Sequence, residues 1–241
     1  MAATFPLGRP AGIRVGAHWS VLPILALLAG FLARSPLPEA VPGRSPVVYW
    51  ATGATGSVVL LASLLVHELG HALAARDRGH VVDGITLWLL GGRTEPDGGP
   101  PTPRSAIAVA IAGPVASLAA GAGFLGAGLL SSGLVAPTLT WLGWTNLALA
   151  SFTLLPGAPL DGGRVLQAVV WKVTGDRRRA QAVAAHSGTV LGVVLASTGL
   201  LWLLWSGGFA GLGLVGLGWF LALYARAELA AGADGSGAPR S

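Results

Sequence analysis

The sequence predicts an all-α polytopic membrane protein with about six transmembrane helices and a short membrane-associated β-like segment after the second helix. Of its 241 residues, 53% are hydrophobic and only 10% are charged, whereas about a quarter of the residues in a soluble domain are charged. Apolar runs long enough to cross a bilayer recur along the chain. They leave no room for a separate water-soluble domain, so we expect a single transmembrane domain over residues 1–241.

The predicted spans are apolar stretches separated by glycine, proline and charged residues. They cover approximately residues 17–33, 47–75, 105–130, 135–155, 186–205 and 209–224. A basic segment precedes the first stretch, so a cleaved signal peptide is the alternative there, but the length of the run favours an uncleaved helix. Gly113-Pro114 is expected to interrupt the third span. The tail over residues 226–241 is rich in Gly, Ala and Ser and is predicted to be disordered.

The distribution of positive charge predicts the orientation of these spans. With the N-terminus in the cytoplasm, every Arg and Lys except Arg34 and Arg44 falls on the cytoplasmic side. This agrees with the positive-inside rule for a cell-membrane protein whose two termini are cytoplasmic. The net charge of +5 therefore indicates topology and contact with lipid headgroups, and no cluster of basic and aromatic residues indicates nucleic acid.

A metal-binding motif lies in the second predicted span. His67-Glu68-Leu69-Gly70-His71 reads H-E-x-x-H inside an apolar run, and on a helix the two imidazoles project from one face. Histidines at this spacing can bind zinc, with the intervening glutamate as general base toward a metal-bound water. An unpaired glutamate in an apolar helix costs several kcal/mol. The motif therefore favours one Zn2+ per chain, held toward the cytoplasmic side.

Hydrolytic zinc sites use three protein ligands, and Asp161 is the strongest third candidate. It lies in Leu155-Pro156-Gly157-Ala158-Pro159-Leu160-Asp161-Gly162-Gly163, where the prolines end a helix and the glycines are expected to free the following turn. The alternative is that Asp161 is an N-cap. The remaining histidines, His18, His80 and His186, each stand alone in the sequence.

Together these residues resemble the site-2 proteases, zinc metalloproteases that cut their substrates within the membrane. The resemblance rests on the H-E-x-x-H motif, on Ala112-Gly113-Pro114-Val115-Ala116-Ser117, and on the segment from Leu154 to Arg164. It implies that His67, His71 and Asp161 bind zinc and that Glu68 is the catalytic base. It also implies six spans like those of the shorter bacterial and archaeal members.

The sequence departs from the family pattern at one catalytic position. Family members usually have asparagine eight residues before the ligand aspartate, thought to assist the reacting carbonyl, and this chain has Thr153 there. A threonine hydroxyl can also donate a hydrogen bond, so Thr153 is a candidate catalytic residue. Asn146 lies on the same helical face but roughly 10 Å deeper. Neither a PDZ domain nor the nucleotide-sensing domains of many relatives are found in this chain.

The predicted function is intramembrane zinc endopeptidase activity on transmembrane protein substrates in the lipid bilayer, such as an anti-sigma factor or a remnant signal peptide. A substrate helix must unwind before cleavage. We expect the β-like run over residues 84–90 to bind the unwound segment as an added strand. The expected substrate-binding residues are Ile85, Thr86, Leu87, Gly91 and Gly92.

Two other functions are compatible with the same residues. A catalytically inactive relative would bind membrane helices without cutting them. The intact Glu68 argues against this function, but Thr153 in place of the usual asparagine leaves it as an alternative. A metal transporter would also place ionisable residues in the membrane. It would be expected to carry them at several depths, whereas here they cluster toward one side.

Overall fold

The computed structural model describes residues 4–88, 91–96, 102–206 and 210–234. It divides into two compact units, one formed by Met1–Gly99 with Ala112–Phe152 and one formed by Pro100–Ile111 with Thr153–Ser241. The expectation of a single domain over residues 1–241 stays a prediction.

The first unit combines long helices with a small sheet. Its elements in chain order are β1 (Phe5–Gly8), β2 (Arg14–Ala17), α1 (Val21–Arg34), α2 (Pro36–Ala40), α3 (Pro46–Arg76), β3 (Val82–Trp88), β4 (Gly91–Pro96), most of α4 (Pro103–Leu129) and α5 (Val135–Thr153). The second unit contains the start of α4, then α6 (Asp161–Thr174), α7 (Arg177–Ser206) and α8 (Ala210–Asp234).

Several helices are long and apolar enough to cross a membrane, which confirms the predicted helical membrane fold. Within the described ranges there are five of them: Val21–Ala40, Pro46–Arg76, Pro103–Leu129, Arg177–Ser206 and Gly211–Ala230. The predicted count of six is not confirmed, because α5, which covers the fourth predicted span, is not among them. Large apolar side chains such as Leu27, Val190 and Leu204 remain exposed, as expected for helices that face lipid.

Four predicted boundaries differ from the structure. The chain enters α1 only at Val21, because residues 14–17 pair as a strand. Helix α4 continues past Pro114, since neighbouring helices and local adjustments can satisfy the backbone groups that a proline frees in a membrane helix. Helix α7 already begins at Arg177. Helix α8 continues to Asp234, so the predicted disordered tail starts too early; its residues 235–241 lie outside the described ranges.

The sheet has the strand order β1-β2-β3-β4. Strand β3 is parallel to β2 and antiparallel to β4, so both of its edges are hydrogen-bonded. One face of the sheet packs against α3 through a cluster of buried apolar side chains, which includes Val15, Ile85, Leu87 and Ala72. The N-terminal strands were not predicted, because a four-residue strand such as Arg-Val-Gly-Ala carries almost no periodic signal.

Glycines allow the helices of the first unit to approach closely. A Cβ on Gly53 of α3 would lie 2.6 Å from the backbone oxygen of Ala29 in α1. A Cβ on Gly143 of α5 would lie 2.6 Å from the side chain of Leu125 in α4. Small residues at helix contacts are typical of membrane proteins, where association depends on close packing rather than on a hydrophobic driving force.

The second unit uses the same device where α7 crosses α8. Gly192 and Gly199 lie seven residues apart on α7 and face Gly218 and Gly211 on α8. A Cβ on Gly192 would lie 2.6 Å from the oxygen of Gly218, and a Cβ on Gly199 would lie 2.7 Å from the oxygen of Gly211. The backbones of α7 and α8 therefore contact each other directly at two places along the helices.

We expect Gly218→Val to destabilise the second unit by about 1–3 kcal/mol, because the added side chain would overpack the contact between α7 and α8. The matched control is Gly216→Val on the same helix, where an added Cβ meets nothing within 4 Å. Unfolding in mixed micelles with increasing denaturing detergent would measure both variants. Equal stability of the two variants would show that α7 and α8 can move apart without loss of stability.

Candidate metal and catalytic site

Helix α3 carries His67, Glu68 and His71 on its buried side. The exposed fractions of these side chains are 3%, 8% and 4%. All three polar side chains are therefore buried inside the protein. The two imidazoles lie edge to face, with their Nε2 atoms 3.2 Å apart. The i,i+4 spacing therefore brings two ligand atoms to one point, as the sequence predicts.

This separation fits one metal ion between the two rings. Zinc binds imidazole nitrogen at 2.0–2.1 Å in tetrahedral geometry, which places two such nitrogens about 3.3 Å apart. The Nε2 atoms of His67 and His71 are 3.2 Å apart. The distance between these two nitrogens is thus the one that a shared zinc ion requires.

Helix α4 runs against α3 at the level of the two histidines. A Cβ on Gly70 would lie 2.7 Å from the backbone oxygen of Ala112. A Cβ on Gly113 would overlap His71 Nε2 and would lie within 2.6 and 2.7 Å of two ring carbons. The Nδ1 atom of His67 lies 2.9 Å from the hydroxyl of Ser117. Only a residue without a side chain at position 113 leaves space for the His71 ring.

Asp161 is positioned by the loop before α6 in the second unit. The backbone N–H of Ala158 donates to the oxygen of Ala184 in α7 at 3.0 Å, and the Ser187 hydroxyl donates to the oxygen of Pro156. A Cβ on Gly188 of α7 would overlap the backbone oxygen of Ala158. These contacts fix residues 156–158 on the surface of α7 and so fix where α6 begins.

The two glycines after Asp161 have a different purpose from the one predicted. Gly162 and Gly163 are helical and are absent from the positive-φ residues, so they do not free a turn. A Cβ on Gly162 would overlap Leu154, and one on Gly163 would lie 2.5 Å from the nitrogen of Ala158. They let the preceding loop fold tightly over the first turn of α6.

The N-cap alternative for Asp161 does not describe this helix. The N-cap residue of α6 is Leu160, and it makes no side-chain capping hydrogen bond. Asp161 is the first helical residue and is half-buried. Asp161 is therefore not the N-cap residue of α6.

Thr153 is the last residue of α5 and is half-buried. Asn146, two turns earlier, is completely buried, and its amide Nδ2 donates to the oxygen of Leu142 at 2.9 Å. One of its two N–H groups is therefore used within its own helix.

The five expected substrate-binding residues lie on two strands, β3 and β4. Ile85 and Leu87 are each 1% exposed in the core between the sheet and α3, while Thr86 lies on the opposite face and lines an open groove of about 470 Å³. Gly91 and Gly92 belong to β4, at the edge of the sheet. The prediction that the run over residues 84–90 accepts an added strand is wrong for its described part, because β2 and β4 already occupy both edges. Residues 89 and 90 lie outside the described ranges.

The three other histidines have separate surroundings, and His80 Nε2 is buried without a hydrogen-bond partner among the described residues. His18 Nδ1 lies 2.9 Å from the Ser20 hydroxyl, and His186 Nδ1 lies 2.7 Å from the oxygen of Ala182 in its own helix. His80 lies just after α3 in the turn that precedes β3. None of the three is part of the histidine pair on α3.

Two residues that touch the histidines were missed in the sequence analysis. Gly113 appears there in the expected interruption of the third span and, with Ser117, in a motif that carries the family resemblance, but neither residue was given a role at the metal site. The available signal was their spacing of four residues, which equals the spacing of His67 and His71. Sequence alone does not tell which two helices face each other, so the match could not be used.

Known proteins are similar to this chain over most of its length. The model of peptidase family M50 matches residues 55–134 and 128–195, and the chain therefore belongs to peptidase family M50. Rip3 of Mycobacterium tuberculosis is 46% identical over 233 residues, which cover 95% of this chain and 59% of Rip3. The zinc metalloprotease MJ0392 of Methanocaldococcus jannaschii is 31% identical over 156 residues, which cover 64% of this chain and 44% of that protein.

A solved structure matches the fold as well. The site-2 protease from Methanocaldococcus jannaschii superimposes with a TM-score of 0.65 and 25% identity, over 93% of this chain and 94% of that one. The resemblance to the site-2 proteases is thereby confirmed. The chain spans about 59% of the length of Rip3.

We expect Gly113→Ala to weaken metal binding by at least about tenfold, because the new methyl group would displace the His71 ring. Gly123→Ala on the same helix is the matched control, since an added Cβ there meets nothing within 4 Å. Competition with a zinc chelator on the purified proteins gives both affinities. Wild-type affinity in Gly113→Ala would mean that the ring can move without loss of the ligand.

Proposed function

We propose that this chain is an intramembrane zinc endopeptidase that cuts transmembrane segments of membrane proteins. The observation that carries the proposal is the pair of buried histidines on a membrane-spanning helix, with Nε2 atoms 3.2 Å apart and the buried Glu68 next to the first of them. Charged side chains inside a membrane helix are costly and mark functional sites. Membership in a peptidase family and the similarity to MJ0392, which carries the name zinc metalloprotease, support the same activity.

The proposed ligands of one zinc ion per chain are His67, His71 and Asp161. Two imidazoles and a carboxylate are a donor set that zinc accepts, leaving one position open. His67 and His71 lie in the first unit and Asp161 lies in the second, and each of the three side chains offers one ligand atom of this kind. When bound, zinc polarises a carbonyl and lowers the pKa of a coordinated water to about 7.

Glu68 is proposed to accept the proton of the attacking water and to return it to the leaving amine. Its position directly after His67 on α3 puts a carboxylate beside the pair of ligands, and its burial excludes bulk water as a competing proton acceptor. Thr153 is proposed to donate a hydrogen bond toward the carbonyl oxygen of the substrate, in place of the usual family asparagine. Such a donor lowers a barrier by about 2.7–4 kcal/mol in other enzymes.

The substrate is proposed to bind as an extended strand at the outer edge of β4. A transmembrane helix must unwind before its peptide bonds can be attacked, and an edge strand satisfies the released backbone groups. Strand β4 ends the sheet, and Gly91 and Gly92 offer no side chain to obstruct a neighbouring strand. Anti-sigma factors and remnant signal peptides are the substrates proposed from the resemblance.

The proposed orientation places both termini and the zinc site on the cytoplasmic side of the cell membrane. The support is the distribution of arginine, since only Arg34 and Arg44 fall on the other side in this arrangement. Both flank α2, in the connection between α1 and α3.

Glu68→Gln should reduce cleavage by about 10²–10⁴-fold, because glutamine cannot accept a proton from water. The experiment compares peptide fragments released from membranes incubated with wild-type or variant protein in liposomes, by mass spectrometry. Zinc content should be unchanged. Glu39→Gln is the control, since Glu39 lies in the short helix α2 and accepts a hydrogen bond from Ser35. Wild-type cleavage by Glu68→Gln would remove Glu68 from the mechanism.

Asp161→Ala should lose zinc, whereas Asp176→Ala should keep it. Asp176 is the natural control because it is a true helix cap: its Oδ1 accepts the backbone N–H of Arg178 at 2.8 Å and of Arg179 at 3.1 Å. Removal of such a cap costs about 1 kcal/mol of stability without touching a metal site. Metal analysis and thermal unfolding of both proteins give the comparison. Stoichiometric, tightly held zinc in Asp161→Ala would exclude Asp161 as a ligand.

A further inference from the structure

The two histidines of α3 face a matching pair of residues on α4. His67 lies against Ser117, and His71 lies against Gly113. The two helices are antiparallel, and the spacing of four residues on one is repeated on the other, so each imidazole has its own opposing residue. The opposing residues differ in chemistry: one offers a hydroxyl, and the other offers only backbone.

Ser117 is deeply buried, with 1% of its surface exposed. Its hydroxyl lies 2.9 Å from His67 Nδ1. Ser57, which is equally buried, has a different kind of partner: its hydroxyl donates to the backbone oxygen of Gly53, one turn earlier in the same helix, at 2.8 Å. The Ser117 hydroxyl therefore contacts a neighbouring helix, whereas the Ser57 hydroxyl bonds to the backbone of its own helix.

This contact bears directly on which nitrogen of His67 is available. A neutral imidazole has one N–H and one lone pair, and the partner of one nitrogen decides the state of the other. A metal ion at Nε2 requires the proton on Nδ1. In a membrane-spanning helix that N–H has no water to bind, so it needs an acceptor within the protein. The Ser117 oxygen stands at the correct distance to accept it.

We propose that Ser117 is a positioning residue for the metal site: its hydroxyl accepts the Nδ1–H of His67, which fixes the ring orientation and leaves Nε2 free to bind zinc. This inference rests on the proposed function. The His71 ring is fixed by a different means, contact with the bare backbone of Gly113. The segment Gly113-Pro114-Val115-Ala116-Ser117 is then the counterpart on α4 of the metal motif on α3.

A purely structural role for Ser117 makes a different prediction. If the hydroxyl only filled space, Ser117→Ala would change stability and leave the zinc affinity of the folded protein unchanged. If it positions His67, the variant should fold normally and bind zinc about 10–100-fold more weakly, the usual effect of removing an outer hydrogen-bond partner of a metal ligand. Ser117→Thr retains a hydroxyl and should recover most of the affinity.

The experiment measures zinc affinity by chelator competition, and thermal unfolding of the zinc-free protein, for wild type, Ser117→Ala, Ser117→Thr and Ser57→Ala. Ser57→Ala removes an equally buried hydroxyl and should keep wild-type affinity. Wild-type affinity in Ser117→Ala, or equal losses in Ser117→Ala and Ser57→Ala, would overturn the positioning role alone. Absence of zinc binding by the wild-type protein would overturn the proposed function and this inference with it.

Discussion

The contact between α3 and α4 is the constraint on which the candidate site depends. In lipid there is no hydrophobic driving force between helices, so close association requires small residues and direct van der Waals contact. Gly70 meets the backbone of Ala112, and Gly113 meets the ring of His71. The distance between the two helix axes and the position of a proposed ligand are therefore set by the same contact. A wider separation would leave the imidazoles free to rotate.

The second unit solves a similar problem around Asp161. There the loop over residues 156–158 lies on α7, with Gly188 providing the space, and Gly162 and Gly163 let it close over the first turn of α6. In both units a polar side chain of functional chemistry is held by backbone contact at glycine. Such close packing holds a site on rigid helices, where its geometry is kept more precisely than on loops.

The sequence was sufficient for the helical membrane fold, for the histidine pair and for the family, because each rests on a local pattern. Apolar length identifies spans, and a spacing of four places His67 and His71 on one face of a helix. Features that depend on distant partners were missed or misread. The strand over Arg14–Ala17 exists through pairing with Gly84–Leu87. The purpose of Gly162 and of Gly113 becomes visible only when the backbone or ring that each one faces is known.

The parallel pairing of β2 with β3 has a consequence for biogenesis. These strands are neighbours in the sheet, but α1, α2 and α3 lie between them in the chain. At a synthesis rate of about 5–20 residues per second, β2 leaves the ribosome on the order of several seconds before its partner exists. During that interval α1, α2 and α3 are being synthesised. The complete sheet can therefore close only after the whole helix that bears the histidines has left the ribosome's active site.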